Sequence, residues 1–185
     1  MVDIVFFNPH VHLDEYRQMY IEWLSEQMDE LKEKHGVDFF SEIGRTAEEI
    51  VDANLDRYAG LKPPKGVLLV LEVEDVVTGM VALMRLSHSR GFINLMYNRP
   101  EYRGKGYGKL LFQRLLEEGR KNGVTCFQLR TPVFSEAAHH IYKSFGFEEV
   151  EEYPENLMSV QPPLLQPYTI YMEKKEYRNT RSGYV

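Results

Sequence analysis

Three glycines alternate along Arg103-Gly104-Lys105-Gly106-Tyr107-Gly108-Lys109, between a strand-like apolar run and a helix-like one. Glycines at alternate positions let backbone N–H groups approach a ligand without Cβ interference. A helix starting directly afterwards adds unpaired N–H groups and the positive end of its dipole. Arg103, Lys105 and Lys109 add full positive charges. A pyrophosphate is the natural occupant of such a turn. Two nucleotide patterns fit poorly. A P-loop needs Ser or Thr after its Lys, and Leu110 follows Lys109. A dinucleotide fingerprint needs a third glycine where Lys109 stands, and a βαβ unit rather than the meander predicted here.

The elements that must position this turn follow from periodicity. Asp3 to Asn8 reads as a strand. Leu13 to Lys34 reads as a helix, with Tyr16, Tyr20, Trp23, Leu24, Met28 and Leu31 at helical spacing and Gly36 as the stop. Thr46-Ala47-Glu48-Glu49 is a capping box that opens a second helix. Strands are expected over Val67 to Val73, Val76 to Leu86 and Phe92 to Asn98, joined by short turns as an antiparallel meander. Next come a helix from Lys109 to Lys121 and a strand from Val124 to Val133. A helix from Ser135 to Phe145 and a strand from Phe147 to Tyr153 follow. Pro154 to Pro167 reads as a loop and Tyr168 to Lys174 as a last strand. The order β-α-α-β-β-β-α-β-α-β-β predicts an α+β fold: a mixed, mainly antiparallel sheet flanked by helices. Residues 1–174 read as one domain, with 175–185 a C-terminal tail, disordered or packed.

The glycine segment matches R-x-x-G-x-G, the coenzyme A signature of the GNAT superfamily of N-acetyltransferases. Ala138 to Phe147 resembles that family's A-x-x-L-Y-x-x-x-G-F helix-to-strand element. The element order also resembles the family fold, from Asp3 to about Lys174. Two separate motifs at a plausible spacing make the resemblance specific, where the glycine motif alone would not.

The resemblance implies an acyltransferase that uses acetyl-CoA and needs no metal. It implies direct attack by a primary amine: a small amine, an amino acid or a peptide amine. Arg103, Gly104, Lys105, Gly106, Tyr107, Gly108 and Lys109 would hold the pyrophosphate. The backbone of Met96, Tyr97 and Asn98 would face the pantetheine and thioester, with Met96 and Asn98 pointing opposite to Tyr97 by strand alternation. Tyr142 matches the tyrosine that returns a proton to the leaving thiolate. A phenol of pKa about 10 is protonated at neutral pH. Ser135 stands where many relatives carry an asparagine that bonds the pantetheine; it could instead cap the helix. The acceptor would lie between the first two helices and the Pro154 to Pro167 loop. Where relatives place a glutamate base, this chain carries Asn94 and Arg130, and neither is a base near neutral pH. A water chain, another carboxylate or an amine of low pKa must serve. Arg130 could bind an acceptor carboxylate. The missing carboxylate also motivates an alternative, a non-catalytic acyl-CoA-binding or regulatory module.

Other features narrow the class. The chain has 185 residues, 43% hydrophobic and 27% charged, which suits a globular domain with a full core. No apolar run approaches the roughly 20 residues of a membrane helix, and the start lacks the basic region of a signal peptide. A net charge of −6 argues against nucleic acid as the main partner. The single cysteine, Cys126, excludes an internal disulfide framework and fits a cytoplasmic setting; it reads as a small buried hydrophobe. His10 and His12 lack a third ligand and read as surface histidines. His139 and His140 point about 100° apart on a helix. The run Glu148-Glu149-Val150-Glu151-Glu152 reads as a solvated strand edge. Similar proteins often form homodimers, though no residue here establishes one.

Overall fold

A computed structural model describes residues 1–152 and 162–176. Among the described residues seven strands form one sheet: β1 (Val2–Phe6), β2 (Gly66–Val73), β3 (Val76–Arg85), β4 (Arg90–Asn98), β5 (Cys126–Pro132), β6 (Glu148–Val150) and β7 (Thr169–Lys175). Their order is β1-β2-β3-β4-β5-β7-β6. Every neighbouring pair is antiparallel except β4 and β5, which are parallel. Five α-helices among the described residues flank the sheet: α1 (Pro9–His35), α2 (Phe39–Ile43), α3 (Ala47–Ala59), α4 (Tyr107–Lys121) and α5 (Glu136–Ser144). The expected mixed, mainly antiparallel sheet flanked by helices is the fold observed.

Alternation along the strands divides the core into two layers. Leu69 and Leu71 of β2 pack with Leu111, Phe112, Leu115 and Leu116 of α4. Leu68 and Val70 pack with Tyr16, Met19 and Tyr20 of α1 and with Val51 and Tyr58 of α3. β2 is therefore apolar on both faces because both are covered. Leu111, Phe112, Leu115 and Leu116 are each 0% exposed. At about 1.5–3 kcal/mol per fully buried side chain, this face is what holds α4, and the glycine turn ahead of it, against the sheet.

Helix ends follow local chemistry. Asn8 caps α1, its side chain accepting from His10 N–H (3.1 Å), and Gly36 closes it at φ 72°. The capping box of α3 is formed: Glu49 N–H donates to Thr46 Oγ1 (3.3 Å) and Thr46 N–H to Glu49 Oε2 (2.9 Å). α1 begins at Pro9 rather than Leu13, because Asn8-Pro9 is itself a start signal. His12 is consequently inside the helix and 5% exposed, not a surface histidine. It accepts from Asn8 N–H (3.0 Å) through Nδ1 and donates to Glu72 (3.1 Å) through Nε2. α2 is an addition to the expected order; at five residues it is too short for periodicity to show. α4 starts at Tyr107 rather than Lys109. Of the strand expected over Phe147 to Tyr153, Glu148–Val150 is an outer strand with Glu148 and Glu149 exposed, and Tyr153 lies outside the described residues.

Of the loop expected over Pro154 to Pro167, Pro163–Tyr168 is a short 3₁₀ segment; residues 154–161 lie outside the described residues. Lys175 pairs with Cys126 at the end of β7, and Glu176 binds the Arg120 guanidinium (2.6 Å). The remaining tail, 177–185, lies outside the described residues. Among the described residues no helix is long and apolar enough to cross a membrane.

Candidate active site

The turn into α4 is built by glycine conformation. Gly104 and Gly106 lie at φ 75° and 82°, a region most residues avoid. Nothing would lie within 4 Å of a Cβ at either, so their demand is conformational and the space above them is open. Lys109 and Leu110 N–H donate back to Gly106 O. The amides of Gly104, Lys105, Gly106 and Tyr107 take no acceptor from the described residues. Gly108 serves a different purpose: its Cβ would come within 3.0 Å of Asn98 Nδ2, 3.4 Å of Ile141 and 3.5 Å of Met96. With the Asn98 amide turned to suit its neighbours, its oxygen accepts from Gly108 N–H and its nitrogen donates to Tyr97 O, both at 3.2 Å. Asn98 thus ties the end of β4 to the start of α4.

The charges around the turn are arranged less simply than the sequence suggests. Arg103 donates to Asn98 O (2.8 Å) and forms a bidentate pair with Glu26 of α1 (2.5 and 2.6 Å). Its guanidinium also lies 5.4 Å from the Tyr97 ring centre. Arg103 therefore braces the turn against α1. The Lys105 ammonium sits 5.2 Å over the Tyr102 ring and is outside the cavity wall, whereas Arg103, Gly104, Gly106, Tyr107, Gly108 and Lys109 are part of it.

That cavity, about 900 Å³, follows a split in the sheet. β4 and β5 pair only from Arg90↔Cys126 to Ile93↔Leu129. Beyond this the strands part, so Asn94 and Arg130 are the first residues of the two free arms. A bulge in β4 re-aims its arm: Ala82 of β3 faces Asn94, but Met80 faces Tyr97, leaving one extra residue on β4. Leu95 carries the kink at φ 55°. Asn94 Oδ1 accepts from Leu95 N–H (2.9 Å), which supports the bulge, and Asn94 Nδ2 donates to the Tyr58 hydroxyl (2.6 Å). Leu95 and Tyr97 then pack with the α1/α3 layer, while Ile93 and Met96 pack with the α4/α5 layer. The predicted opposition of Met96 to Tyr97 holds because the bulge lies before both.

On the α4/α5 side stand Tyr142 and Ser135. Tyr142 is 6% exposed, with Phe112 and Phe147 ring centres 5.1 and 6.2 Å away. It lines the cavity, and its hydroxyl takes no partner from the described residues. Burial raises its pKa well above the ordinary phenol value. Ser135 occupies the N-cap position of α5, yet its hydroxyl makes no capping bond. It lines the cavity instead.

On the α1/α3 side, the half-buried Arg130 guanidinium lies 5.5 Å from the Phe92 ring centre. Burial lowers its basicity, and Tyr171, Tyr58, Arg57 and Glu152 all act on it. Trp23 of α1 closes the wall here. The wall's carboxylates on α1 are both engaged: Glu26 by Arg103 and Glu30 by Lys34 (2.7 Å). His139 is bound to Pro132 O (2.9 Å). Cys126 is buried, with Sγ donating to Glu173 (3.3 Å); burial and that carboxylate push its thiol up to about 11. Among the described residues no group of His, Cys, Asp and Glu could hold a metal ion.

Sequence reasoning passed over Tyr58, Trp23 as a wall residue, and the Glu26 partner of Arg103. Each joins the site only through packing. The bulge had one local signal, an asparagine able to hold its neighbour's amide.

A split sheet with open backbone amides at a helix start suits an elongated ligand carrying a pyrophosphate. Residues 13–147 match the Acetyltransferase (GNAT) family, so the chain belongs to that family. It is 31% identical over 101 residues to the zebrafish (Danio rerio) N-acetylaspartate synthetase, covering 54% of this chain and 36% of that protein. It is 29% identical over 92 residues to the Escherichia coli L-amino acid N-acyltransferase MnaT, covering 48% of this chain and 54% of that one. The match therefore spans about a third to a half of these relatives. The fold is also similar to that of the PaiA N-acetyltransferase from Thermoplasma acidophilum, solved with coenzyme A. That structure has TM-score 0.67 and 15% identity, covering 95% of this chain and 99% of the other.

Proposed function

We propose that the chain transfers the acetyl group of acetyl-CoA directly to a primary amine. The observation that carries this reading is the split between β4 and β5, with the open amides of the glycine turn and the buried Tyr142 hydroxyl on one of its faces. Gly104, Gly106 and Tyr107 amides, with Lys109, would hold the pyrophosphate. Ser135 would bond the pantetheine. Backbone groups of the β4 arm, at Met96 to Asn98, would orient the thioester and receive the charge that builds on its carbonyl oxygen.

The neutral amine attacks the acetyl carbon from the α1/α3 side. An N–C bond forms and the C–S bond breaks. The thiolate takes its proton from Tyr142, which solvent then reprotonates, and the amine gives its proton to water. Neither Asn94 nor Arg130, the first residues of the two arms, is a carboxylate, so an amine of low pKa suits this site: an α-amino group, at about 7.7–8.0 on a peptide, rather than a lysine near 10.4. The names of the zebrafish and E. coli relatives are consistent with an amino-acid acceptor.

Thiol release from acetyl-CoA across a panel of amines tests this reading. Turnover that falls sharply in Tyr142→Phe supports it. Tight acetyl-CoA binding with no turnover on any amine would favour an acyl-CoA-binding module, the alternative that Asn94 and Arg130 keep open.

A further inference from the structure

Beyond Ile93 the β4 arm keeps β3 as a neighbour but has lost β5. The far end of the arm is fastened to α1 instead. Glu15, Glu22 and Glu26 are spaced so that they share one side of that helix. Glu15 accepts from Arg99 Nη2 (2.7 Å). Glu22 accepts from Arg99 Nε (3.2 Å) and from the Tyr97 hydroxyl (3.4 Å). Glu26 takes both terminal nitrogens of Arg103, at 2.5 and 2.6 Å. The remaining nitrogen of Arg103, Nε, donates to Asn98 O (2.8 Å), at the last residue of β4. Its guanidinium also lies 5.4 Å from the Tyr97 ring centre. Each nitrogen of Arg103 therefore already has a partner on α1 or on the arm.

We propose that Arg103, the first residue of the coenzyme A signature, is a positioning residue that locks the β4 arm to α1 through Asn98 and Glu26 and does not ligate the pyrophosphate. This rests on the transfer reading above, in which the arm's backbone orients the thioester. Two arguments carry it. The Glu26 carboxylate cancels the Arg103 charge at contact distance, so the pair offers an anion little net attraction. A planar guanidinium held in a bidentate fork is also fixed in direction, which a ligand contact would have to undo. The charge of the pyrophosphate is left to the turn amides and Lys109. The lock acts on both substrates at once, because α1 also carries Trp23 and Gln27 of the cavity wall. A small shift between wall and arm changes the attack geometry, and misplacement by about 1 Å can cost about 10²-fold in rate. Both side chains of the pair are 43% exposed, so the pair adds little to global stability. Its removal should be read in turnover rather than in unfolding.

The test uses Arg103→Gln, Arg103→Lys, Glu26→Gln and the double Gln variant. Thiol release gives kcat with an amine that wild type uses, and calorimetry gives the acetyl-CoA Kd. Arg103→Gln and Glu26→Gln should each lower kcat about tenfold, the range of a charge-assisted bond, with Tm unchanged. The acetyl-CoA Kd should move by less than about threefold, which separates positioning from ligand binding. Arg103→Lys should behave like Arg103→Gln, because one ammonium cannot serve both Asn98 O and the Glu26 fork. The double variant should lose no more than either single one, since Glu26 acts through Arg103. A Kd weakened at least about tenfold in Arg103→Gln but kept in Arg103→Lys would mark a pyrophosphate contact and overturn the proposal. So would tighter acetyl-CoA binding in Glu26→Gln, which would show Glu26 holding the arginine away from the ligand. Wild-type kcat in both single Gln variants would overturn it as well. Wild type that binds acetyl-CoA but turns over no amine would overturn the transfer reading, and the Kd comparison would still decide whether Arg103 touches the pyrophosphate.

Discussion

A phenol that returns a proton to a thiolate must be protonated when the bond breaks and must reach the sulfur. Tyr142 meets the first condition through burial, which raises its pKa above the usual phenol value of about 10. Because the shift is upward, the donor form persists through the neutral range, and kcat should show no loss from Tyr142 ionisation below about pH 10. Tyr142→Phe should reduce kcat about 10²-fold, the lower end of general acid catalysis, with acetyl-CoA affinity nearly unchanged. Steady-state kinetics and calorimetry on the same preparation check both. Asn94 has a different role, since it holds the Leu95 amide inside the bulge. Asn94→Ala leaves that amide unpaired beside a fully buried Leu95. The expected cost is about 1–3 kcal/mol of stability, read by urea denaturation, together with a loss of turnover as the β4 arm changes direction.

At the level of elements, the glycine turn and α4 form one unit. Gly106 is the N-cap of α4 at φ 82°, and nothing would touch a Cβ placed there. Gly106→Ala therefore tests backbone conformation alone. It should cost about 1–2 kcal/mol in that region, visible as a lower Tm, and should weaken acetyl-CoA binding in calorimetry by disturbing the amides it presents. This part of the site is readable from sequence, because alternating glycines before a helix are a local signal. The direction of the Arg103 charge is not. Glu26 lies far away in the chain, on α1, and only packing of α1 across the sheet brings it to Arg103. α2 escaped notice for a simpler reason: five residues cannot display a period of 3.6.

Across the whole molecule, the sheet acts as a partition. α4 and α5 with the glycine turn occupy one side, α1 and α3 the other, and the parting of β4 and β5 connects them. The partition is rich in buried tyrosine. Tyr16, Tyr20, Tyr58 and Tyr142 are all at or below 7% exposed, and burial raises the pKa of each. A raised folded-state pKa means that stability is intact below the unfolded value and is lost as pH rises toward the folded one. Stability should therefore hold up to about pH 10 and then fall, with tyrosinate absorbance appearing together with loss of the helical circular dichroism signal. Tyrosinate absorbance rising fully before any unfolding would show these rings to be accessible instead.

The sequence by itself determined the family resemblance, the fold class and the turn at Arg103 to Lys109. Each rests on local chemistry: glycine φ angles, helix caps, and periods of 2 and 3.6. It also showed Asn94 and Arg130 at positions where the resemblance implies carboxylates, but not the contacts they make. Only the tertiary structure decided those. Pairing of β4 with β5 stops at Ile93 and Leu129, and a bulge at Leu95 puts Asn94 and Leu95 on the same face. α3 then brings Tyr58 to Asn94 across a sequence separation of 36 residues. Which face a strand side chain occupies depends on register, and register is set by pairing with distant segments.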